Sequence, residues 1–574
     1  MPRNMGRFVD LEAKSFEGRV PITVDSGEIQ TEHKIPLVLG DPTRPDVTID
    51  SQASRCAGCG VAACHLGTSK EGAKGCSLGR PIPDIHAHEV KAEGILKQSV
   101  NVLKALDPNT AAHLLLEIND QDAVDLAEKR AQFPGKVFAA LKAAHDPEAN
   151  ARQESFNHYM RTAFDLSREA GPLGDILGRI CPADRCEGAC TTQFSGHGAV
   201  SIRMNEAILW DYAWESGWVT PLSPKEENGE NVLVVGSGFA GFAAAERLRQ
   251  KGYGVTILER NPVSGEPGNN QILNYKVLQD RFKRHHEVLE QSGVEFVTNT
   301  DVGSSGASLD DLTKHYNARA VIFATGAPHA KALQLGGEHG DTLIHWDDLT
   351  GAQQRLDLLG TPVKEELSAK GKHVAIIGTG DTAVDCARTA ALQGASQVTM
   401  ISRHDRLSYA DQDAWDAMEK EMATKGVTFN FQTFMSPQEI LEHEGQKVLF
   451  GKDNNGGDSI ALPVDMVVAA VGSDTRDQRE VFDMDSLPVN DRSGTFEVAA
   501  VPNDIADKNG ISGVGAGYLG TRDGVFYMAA GQSVRGGNSL AVVCARDGID
   551  AAQWLDRELS ENGDAAFEAC RYEL

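Results

Sequence analysis

A glycine-rich stretch in the middle of the chain constrains the fold most strongly. An apolar run at residues 232–235 leads into Gly236, Gly238 and Gly241, and an alanine-rich segment with helical spacing follows. The first glycine permits a tight turn, and the second lets the backbone approach a pyrophosphate at the helix start. The third allows the helix to pack closely on the strand. This order of strand, turn and helix predicts a dinucleotide-binding fold.

A carboxylate lies where such a fold needs one. A second apolar run, residues 255–258, ends at Glu259, which is placed to accept a hydrogen bond from a ribose hydroxyl, and Arg260 follows it. Glycine triplets also occur in plain turns, so the triplet alone is weak evidence. The triplet within its strand–helix–strand frame, with the carboxylate at the right distance, favours a nucleotide site.

The same pattern occurs a second time along the chain. The apolar run at residues 373–377 leads into Gly378 and Gly380, with Asp381 and Thr382 at the start of the helix that follows. This internal repeat predicts two dinucleotide-binding folds in one chain.

The second fold lacks the acidic residue of the first. Aligning residues 398–402 with residues 255–259 places Ser402 at the position of the carboxylate, and Arg403 and Arg406 follow. Removing the acid relieves repulsion and adding a guanidinium supplies a phosphate ligand, so the pattern favours NADP(H) over NAD(H). Arg406 could instead be a solvated surface charge.

Seven of the ten cysteines fall into two tight groups. Small residues between them let the backbone wrap a compact object, as an iron–sulfur cluster requires. Zinc is the rival, but seven thiolates are one short of two tetrathiolate sites. This favours clusters with one unusual ligand over four-cysteine zinc sites, and buried structural cysteine is the remaining alternative. The groups are Cys56, Cys59, Cys64 and Cys76, then Cys181, Cys186 and Cys190.

Charge and hydropathy exclude several classes of protein. The 574 residues carry a formal net charge of -27, which argues against a nucleic-acid or anionic-membrane partner. No apolar run approaches the roughly 18 residues of a membrane span, and residues 1–10 are too polar for a secretory signal. We therefore expect a cytoplasmic protein, where grouped cysteines indicate metal or redox chemistry.

These cysteine motifs resemble the N-terminal domain of the glutamate synthase small (beta) subunit family. The same domain occurs in dihydropyrimidine dehydrogenase and in related NAD(P)H:ferredoxin-type oxidoreductases. The resemblance implies two 4Fe-4S clusters whose ligands interleave between the two groups. It assigns one cluster to Cys56, Cys59, Cys64 and Cys190, and the other to Cys76, Cys181 and Cys186.

The resemblance also implies an eighth ligand that is not a cysteine. In the family a glutamate lies on the segment after the last cysteine, and residues 200–206 match that segment, so Glu206 is the candidate. Oxygen ligation of such clusters is less common than thiolate ligation. The alternative is that Glu206 faces solvent on a helix spanning residues 203–210.

The expected fold class is α/β, with a helical N-terminal iron–sulfur domain followed by two Rossmann-like dinucleotide-binding domains, the second inserted in the first. A long helical insertion at about residues 84–179 is either ordinary core or a partner surface. The expected bounds are 1–50 for an N-terminal arm, 51–224 for the iron–sulfur domain, 225–370 with 505–574 for the FAD domain, and 371–504 for the NAD(P) domain.

The resemblance implies that the first fold binds FAD. The family usually has an Ala-Gly-Asp on its return segment, where this chain is expected to have Gly517 followed by Tyr518. Because the acid is absent there, Tyr518 and Glu266 predict weakened FAD binding. Lys276 is a candidate near the isoalloxazine. The other residues implied at the cofactor are Gly265, Ala324, Thr325, Gly326, Asn538 and Ser539.

The resemblance implies an electron-transfer function. Electrons pass from NADPH to FAD, then to the two clusters, and on to a separate protein subunit within a hetero-oligomer. No side chain is expected to act as an acid or base, since the cofactors carry the chemistry. One alternative is an NAD(P)H:ferredoxin oxidoreductase that feeds an unrelated reductase. The other is a non-catalytic assembly subunit with a degraded flavin site.

Overall fold

The computed structural model shows a helical unit followed by two α/β units, the second inserted in the first. The fold class predicted from the sequence is therefore confirmed. The structure describes Cys64, Cys76 and residues 78–118, 126–182, 185–190, 199–265, 272–303, 306–337, 340–404, 412–500, 515–537 and 539–561.

The helical unit surrounds a continuous apolar core. Phe133, Phe164 and Trp210 are fully buried in it, and the Phe164 and Trp210 rings meet edge to face at 5.0 Å. No helix within the described ranges is long and apolar enough to cross a membrane. The helices of the unit are α1 (Ile82–Leu106), α2 (Pro108–Ile118), α3 (Leu126–Ala143), α4 (Ala149–Ala170), α5 (Gly174–Ile180) and α6 (Ile202–Glu215).

A seven-stranded sheet forms the first α/β unit, which we call the first unit. Five of its strands are mutually parallel, and two more pair antiparallel at one edge. From that edge inward the order is β16 (Ala499–Ala500), β17 (Ala516–Arg522), β18 (Val525–Ala530), β4 (Ala318–Phe323), β1 (Asn231–Val235), β2 (Gly254–Leu258) and β3 (Val294–Val297). Its helices are α7 (Phe239–Gln250), α8 (Gln279–Gln291), α9 (Leu309–His315), α13 (Gln478–Phe482), α14 (Gln532–Arg535) and α15 (Ala541–Glu561).

A second, five-stranded parallel sheet forms the second unit. Its strands lie in the order β10 (Thr428–Gln432), β9 (Gln397–Ile401), β8 (His373–Ile377), β14 (Met466–Ala469) and β7 (Leu343–His345). A smaller sheet follows the order β13 (Ile460–Pro463), β12 (Gln446–Asp453), β11 (Met435–His443) and β6 (Gly336–Gly337). The helices are α10 (Trp346–Leu359), α11 (Asp381–Leu392) and α12 (Gln412–Lys425).

The chain passes between the two units at a short antiparallel ladder. Here β5 (His329–Ala330) pairs with β15 (Ser473–Asp474). Strand β7 belongs to the second sheet although it precedes residue 371, and β16 belongs to the first although it precedes residue 505. The chain therefore enters the second sheet before residue 371 and returns to the first sheet before residue 505, so both crossings lie earlier than the expected bounds 371–504.

Candidate functional site

The first unit contains a cavity of about 290 Å³ where its parallel strands end. The turn at Gly236 and Gly238 lines it from β1, and Glu259 lines it from β2. Gly236 has a φ of 103°, and a Cβ there would lie 2.5 Å from the carbonyl oxygen of Ala324. Only glycine fits this position, so the backbone faces the cavity without a side chain. Arg260, Thr325 and Gly326 also line the cavity.

Helix α7 packs unusually close to the turn that precedes it. A Cβ on Gly241 would lie 2.0 Å from the carbonyl oxygen of Gly236, so a larger residue would force the helix away. Gly241 therefore acts through packing, as the motif predicts, and brings the start of α7 to the cavity. A helix start with free amides is a suitable place for a pyrophosphate.

The Glu259 carboxylate is held by four hydrogen bonds from its own chain. One oxygen accepts from the amide and the hydroxyl of Ser237, at 3.0 and 2.6 Å. The other accepts from the backbone amide and the side-chain amide of Asn261, at 2.8 and 2.9 Å. A carboxylate offers about four lone-pair sites, so a ribose hydroxyl would compete with Asn261 for this group. The sequence motifs did not identify Ser237 or Asn261.

The Ser237 hydroxyl also connects a second predicted residue to this site. It accepts a hydrogen bond from the amide of Gly265 at 2.8 Å. Gly265 has a φ of 85° and is buried. The loop after β2 is therefore fastened to the glycine turn.

Gln532 occupies the end of the last parallel strand. Strand β18 lies beside β4, and Gly531 and Gln532 follow it directly. Gln532 lines the cavity, and its side-chain amide donates to the carbonyl oxygen of Ser539 at 3.3 Å. The Ala-Gly-Gln at residues 530–532 therefore lies at the end of the last parallel strand, beside the cavity.

The expectation that Tyr518 takes this position is wrong. Gly517 and Tyr518 lie on β17, one strand farther from the cavity, and neither lines it. A Cβ on Gly517 would lie 2.1 Å from the carbonyl oxygen of Ala499 on β16, so this glycine is required by strand packing. The Tyr518 ring packs at 6.2 Å from Trp554 on α15.

Lys276 extends toward the second unit. Its ammonium group lies 2.6 Å from a carboxylate oxygen of Asp385 on α11. It is not among the residues that line the cavity of the first unit. The approach of Lys276 to the isoalloxazine therefore stays a prediction.

The second unit repeats the geometry of the first turn. Gly378 has a φ of 134°, and a Cβ there would lie 2.2 Å from the carbonyl oxygen of Ala470, which follows the neighbouring strand β14. This matches the relation of Gly236 to the residue after β4. Gly380 precedes α11, whose first residues are Asp381 and Thr382.

The strand ends of the two units correspond in register. In the first unit Val235 pairs with Leu258, and in the second Ile377 pairs with Ile401. The residue after β9 is therefore Ser402, as the residue after β2 is Glu259. Ser402 is buried and its hydroxyl accepts from the amide of His404 at 3.1 Å, whereas Arg403 is exposed.

The described cysteines of the two groups converge on the helical unit. Cys186 and Cys190 are buried in a small apolar cluster, against which Cys64 and Cys76 pack. The amide of Cys76 donates to the carbonyl oxygen of Cys64 at 2.8 Å. Cys181 follows α5 directly. The structure thus brings both cysteine groups together, and their division into two sets stays a prediction.

Charge interactions join Glu206 to these thiols. Burial raises the pKa of the Cys76 and Cys181 thiols, the Glu206 carboxylate raises both further, and the Arg80 guanidinium lowers them. Arg80 forms an ion pair with Glu206 at 2.6 Å. The Glu206 side chain is 16% exposed, so it does not face solvent as the alternative required.

A second buried guanidinium lies at the same place. Arg203 donates to the carbonyl oxygen of Cys181, and its amide donates to Glu187 at 3.1 Å. Burial, Glu187 and the neighbouring thiols raise the pKa of Cys186, and Arg203 opposes them. Because a cation coordinated by the sulfurs would favour the thiolates, this set fits a metal cluster balanced by arginines.

Zinc is the alternative metal for these cysteines. Among the residues that the structure describes, no three histidine, cysteine, aspartate or glutamate side chains are grouped closely enough to hold one ion. A 4Fe-4S cluster takes its four ligands on different irons and therefore spaces them more widely than a zinc ion does. The remaining predicted residues, Cys56, Cys59, Arg406 and Asn538, lie outside the described residues, as does Glu266.

Two family models match the chain. Residues 230–500 match the pyridine nucleotide-disulphide oxidoreductase family, which spans the glycine turns of both α/β units. Residues 153–218 match domain II of dihydropyrimidine dehydrogenase, described as a 4Fe-4S cluster domain. The second match begins within α4 and includes Cys181, Cys186, Cys190 and Glu206.

Three glutamate synthase proteins are similar in sequence to part of this chain. The glutamate synthase (NADPH) small chain of Azospirillum brasilense is 34% identical over 69% of this chain and 80% of its own length. The small chain of Bacillus subtilis is 31% identical over 70% of this chain and 81% of its own length. Glutamate synthase (NADH) of Schizosaccharomyces pombe is 37% identical over 39% of this chain and 10% of its own length.

Proposed function

Because the chain belongs to the family of glutamate synthase small chains, which are FAD-dependent iron–sulfur oxidoreductases, we propose that it transfers electrons from NADPH to a separate protein. When bound, FAD supplies hydride acceptance and two 4Fe-4S clusters supply one-electron transfer. The observation that carries the proposal is the convergence of five cysteines and Glu206 on a helical unit that packs against the first dinucleotide fold.

The residues at the first cavity have the chemistry to hold FAD. Gly236 and Gly238 let the pyrophosphate approach the backbone at the start of α7, and Glu259 accepts from a ribose hydroxyl. Gln532 offers a neutral amide to the ribityl hydroxyls. No acid or base from the chain is needed for hydride transfer, so these side chains bind and orient the cofactor.

The second unit provides the binding site for the nucleotide that donates electrons. The start of α11 receives the pyrophosphate, Ser402 leaves room for the 2′-phosphate, and Arg403 binds it. Among the relatives, the small chains of Azospirillum brasilense and Bacillus subtilis are named for NADPH, and the Schizosaccharomyces pombe protein is named for NADH. The preference for NADPH therefore rests on Ser402 and Arg403.

The acceptor of the electrons is a partner protein. The small chains of the family pair in name with a larger glutamate synthase subunit, and that subunit is the first candidate acceptor. A ferredoxin that serves another reductase is the second, and one-electron transfer from a 4Fe-4S domain suits either. Both acceptors require the same chemistry from this chain.

The proposal predicts a distinctive absorption spectrum. Protein purified without oxygen should show flavin bands above a broad iron–sulfur shoulder, and both should bleach when NADPH is added. Flavin bands that bleach while the shoulder stays unchanged would contradict transfer to the clusters. Absence of both features would support the assembly-subunit alternative.

Gln532 makes a specific prediction for flavin affinity. Gln532→Asp should tighten FAD binding by about 1 kcal/mol, or roughly fivefold, because a charged acceptor forms a stronger hydrogen bond than a neutral one. The measurement is the dissociation constant for FAD in apoprotein titrations. Tyr518→Phe is the control and should leave this constant unchanged, since Tyr518 lies one strand farther out. Weaker FAD binding in Tyr518→Phe would restore a role for the tyrosine.

A further inference from the structure

One continuous segment, residues 272–291, contacts both the second unit and the helical unit. At its first end the carbonyl oxygen of Ile272 accepts from Gln354 on α10 at 3.0 Å, and the amide of Asn274 donates to the same side chain at 3.2 Å. Gln354 is fully buried. The backbone of the segment is thus hydrogen-bonded to the second unit.

The side chains at this end reach α11. The Tyr275 hydroxyl donates to one oxygen of Asp385 at 2.9 Å, and Lys276 lies 2.6 Å from the other. The Arg388 guanidinium stacks 4.0 Å from the centre of the Tyr275 ring, and it also donates to Glu421 at 2.8 Å. Asp385 therefore ties two consecutive residues of the segment to the helix that begins at the second glycine turn.

The other end of the segment is α8, which is anchored in the helical unit. His285 lies 2.7 Å from an oxygen of Asp175 on α5, and Arg284 pairs with the other oxygen. Arg281 and Arg284 also pair with Asp211 on α6. Asp175 and Asp211 are almost completely buried, so their carboxylates are shielded from solvent.

These anchors belong to the helices that carry the candidate cluster ligands. Cys181 follows α5, and Glu206 lies on α6 about one turn before Asp211. Burial opposes ionisation of Asp175, yet His285, Arg284 and Arg281 together hold its pKa well below its usual range. The carboxylate is therefore ionised, and its ion-pair partners Arg281, Arg284 and His285 all lie on α8.

We propose that residues 272–291 form a brace that couples nucleotide binding in the second unit to the position of the cluster-bearing helices. Asp385 is the positioning residue, one turn inside the helix whose start is proposed to receive the nucleotide. A ligand that orders α11 also orders the Asp385 contacts, which hold the brace. The inference rests on the proposed function for the identity of that ligand and for the clusters that the helices would carry.

Asp385 is the appropriate residue to change. Asp211 neutralises the buried Arg179 and Arg281, and Asp175 pairs with the buried His285, so removal of either aspartate would leave buried groups unpaired and endanger the fold. The Lys276 side chain is 24% exposed and can reach water when Asp385 is changed. Asp385→Asn keeps the shape of the side chain and removes the charge. Asp280→Asn makes the same chemical change at an exposed position of α8 and is the matched control.

The test is amide hydrogen exchange of the FAD-loaded protein, with and without NADP⁺. In Asp385→Asn, residues 272–278 should exchange at least about tenfold faster than in the original chain, and in Asp280→Asn they should not change. NADP⁺ should slow exchange at the start of α11 in every variant. It should slow exchange of residues 272–278 and of α8 in the original chain and in Asp280→Asn, but not in Asp385→Asn.

The outcomes separate the brace from the proposed function. If NADP⁺ protected α11 in the original chain but left residues 272–291 unchanged, the brace would be refuted while the nucleotide site stood. If NADP⁺ did not protect α11, the proposed nucleotide site would fail, and equal exchange of residues 272–278 in Asp385→Asn and the original chain would then refute the brace itself. A purely structural Asp385 would speed exchange without removing the response to NADP⁺, which also contradicts the proposal.

Discussion

Cys190→Ala should remove about half of the iron from the protein. The interleaved assignment gives Cys190 to the cluster of the first cysteine group, and loss of one of four thiolates leaves an iron without its ligand. Iron should fall from roughly eight to roughly four atoms per chain, measured by elemental analysis of protein purified without oxygen. Cys544→Ala is the control, because Cys544 is buried in the first unit and belongs to neither group.

Double variants test the pairing more sharply than single ones. If Cys59 and Cys190 serve one cluster, the double alanine variant should lose no more iron than either single variant. Combining Cys190→Ala with Cys181→Ala should instead remove nearly all of the iron, because the two cysteines are assigned to different clusters. Complete loss in the Cys59 and Cys190 pair, with half retained in the Cys181 and Cys190 pair, would reverse the assignment.

The glycine turns are predictable from the sequence because their requirements are local. Gly236 and Gly378 both adopt positive φ, and at both a Cβ would collide with a carbonyl oxygen of the neighbouring strand. A strand, a turn and a helix are adjacent in sequence, so one window of residues contains the whole signal. The same locality explains why the sequence alone suffices to align Ser402 with Glu259.

The return segment is misassigned from the sequence because its position depends on the pairing of strands that are distant in the chain. Two stretches resemble the family motif, one ending at Tyr518 and one at Gln532, and the sequence-based expectation falls on the first. The distinguishing fact is which strand lies beside β4, and β18 rather than β17 does so. The sequence does contain a signal, because Gln532 follows an apolar run and precedes Ser539 by only seven residues.

Contacts between distant residues leave no signal in the sequence. Lys276 and Asp385 are separated by 109 positions, and neither stands in a motif that requires the other. Similarly, the two-residue strands β5 and β15 are too short to form an apolar pattern, so the sequence does not reveal where the chain passes between the units. Such features are fixed by how complete units pack and become visible only in three dimensions.

Arg403→Ala should change the choice of nucleotide. We expect the KM for NADPH to rise about ten- to hundredfold, because a charged hydrogen bond to the 2′-phosphate contributes roughly 1.5 to 3 kcal/mol. The KM for NADH should change little, since NADH has no phosphate at that position. The measurement is steady-state oxidation of each nucleotide with an artificial electron acceptor. Arg492→Ala, at another exposed arginine, is the matched control.

Restoring the acid provides the opposite test. Ser402→Glu should raise the KM for NADPH by repulsion and lower the KM for NADH, because the new carboxylate repeats the position of Glu259 at the end of β2. Arg403 is exposed, so high salt should weaken its effect on NADPH by screening the charge. Equal changes for the two nucleotides in Arg403→Ala would remove Arg403 from the phosphate site. The preference for NADPH would then have to come from another residue near the end of β9.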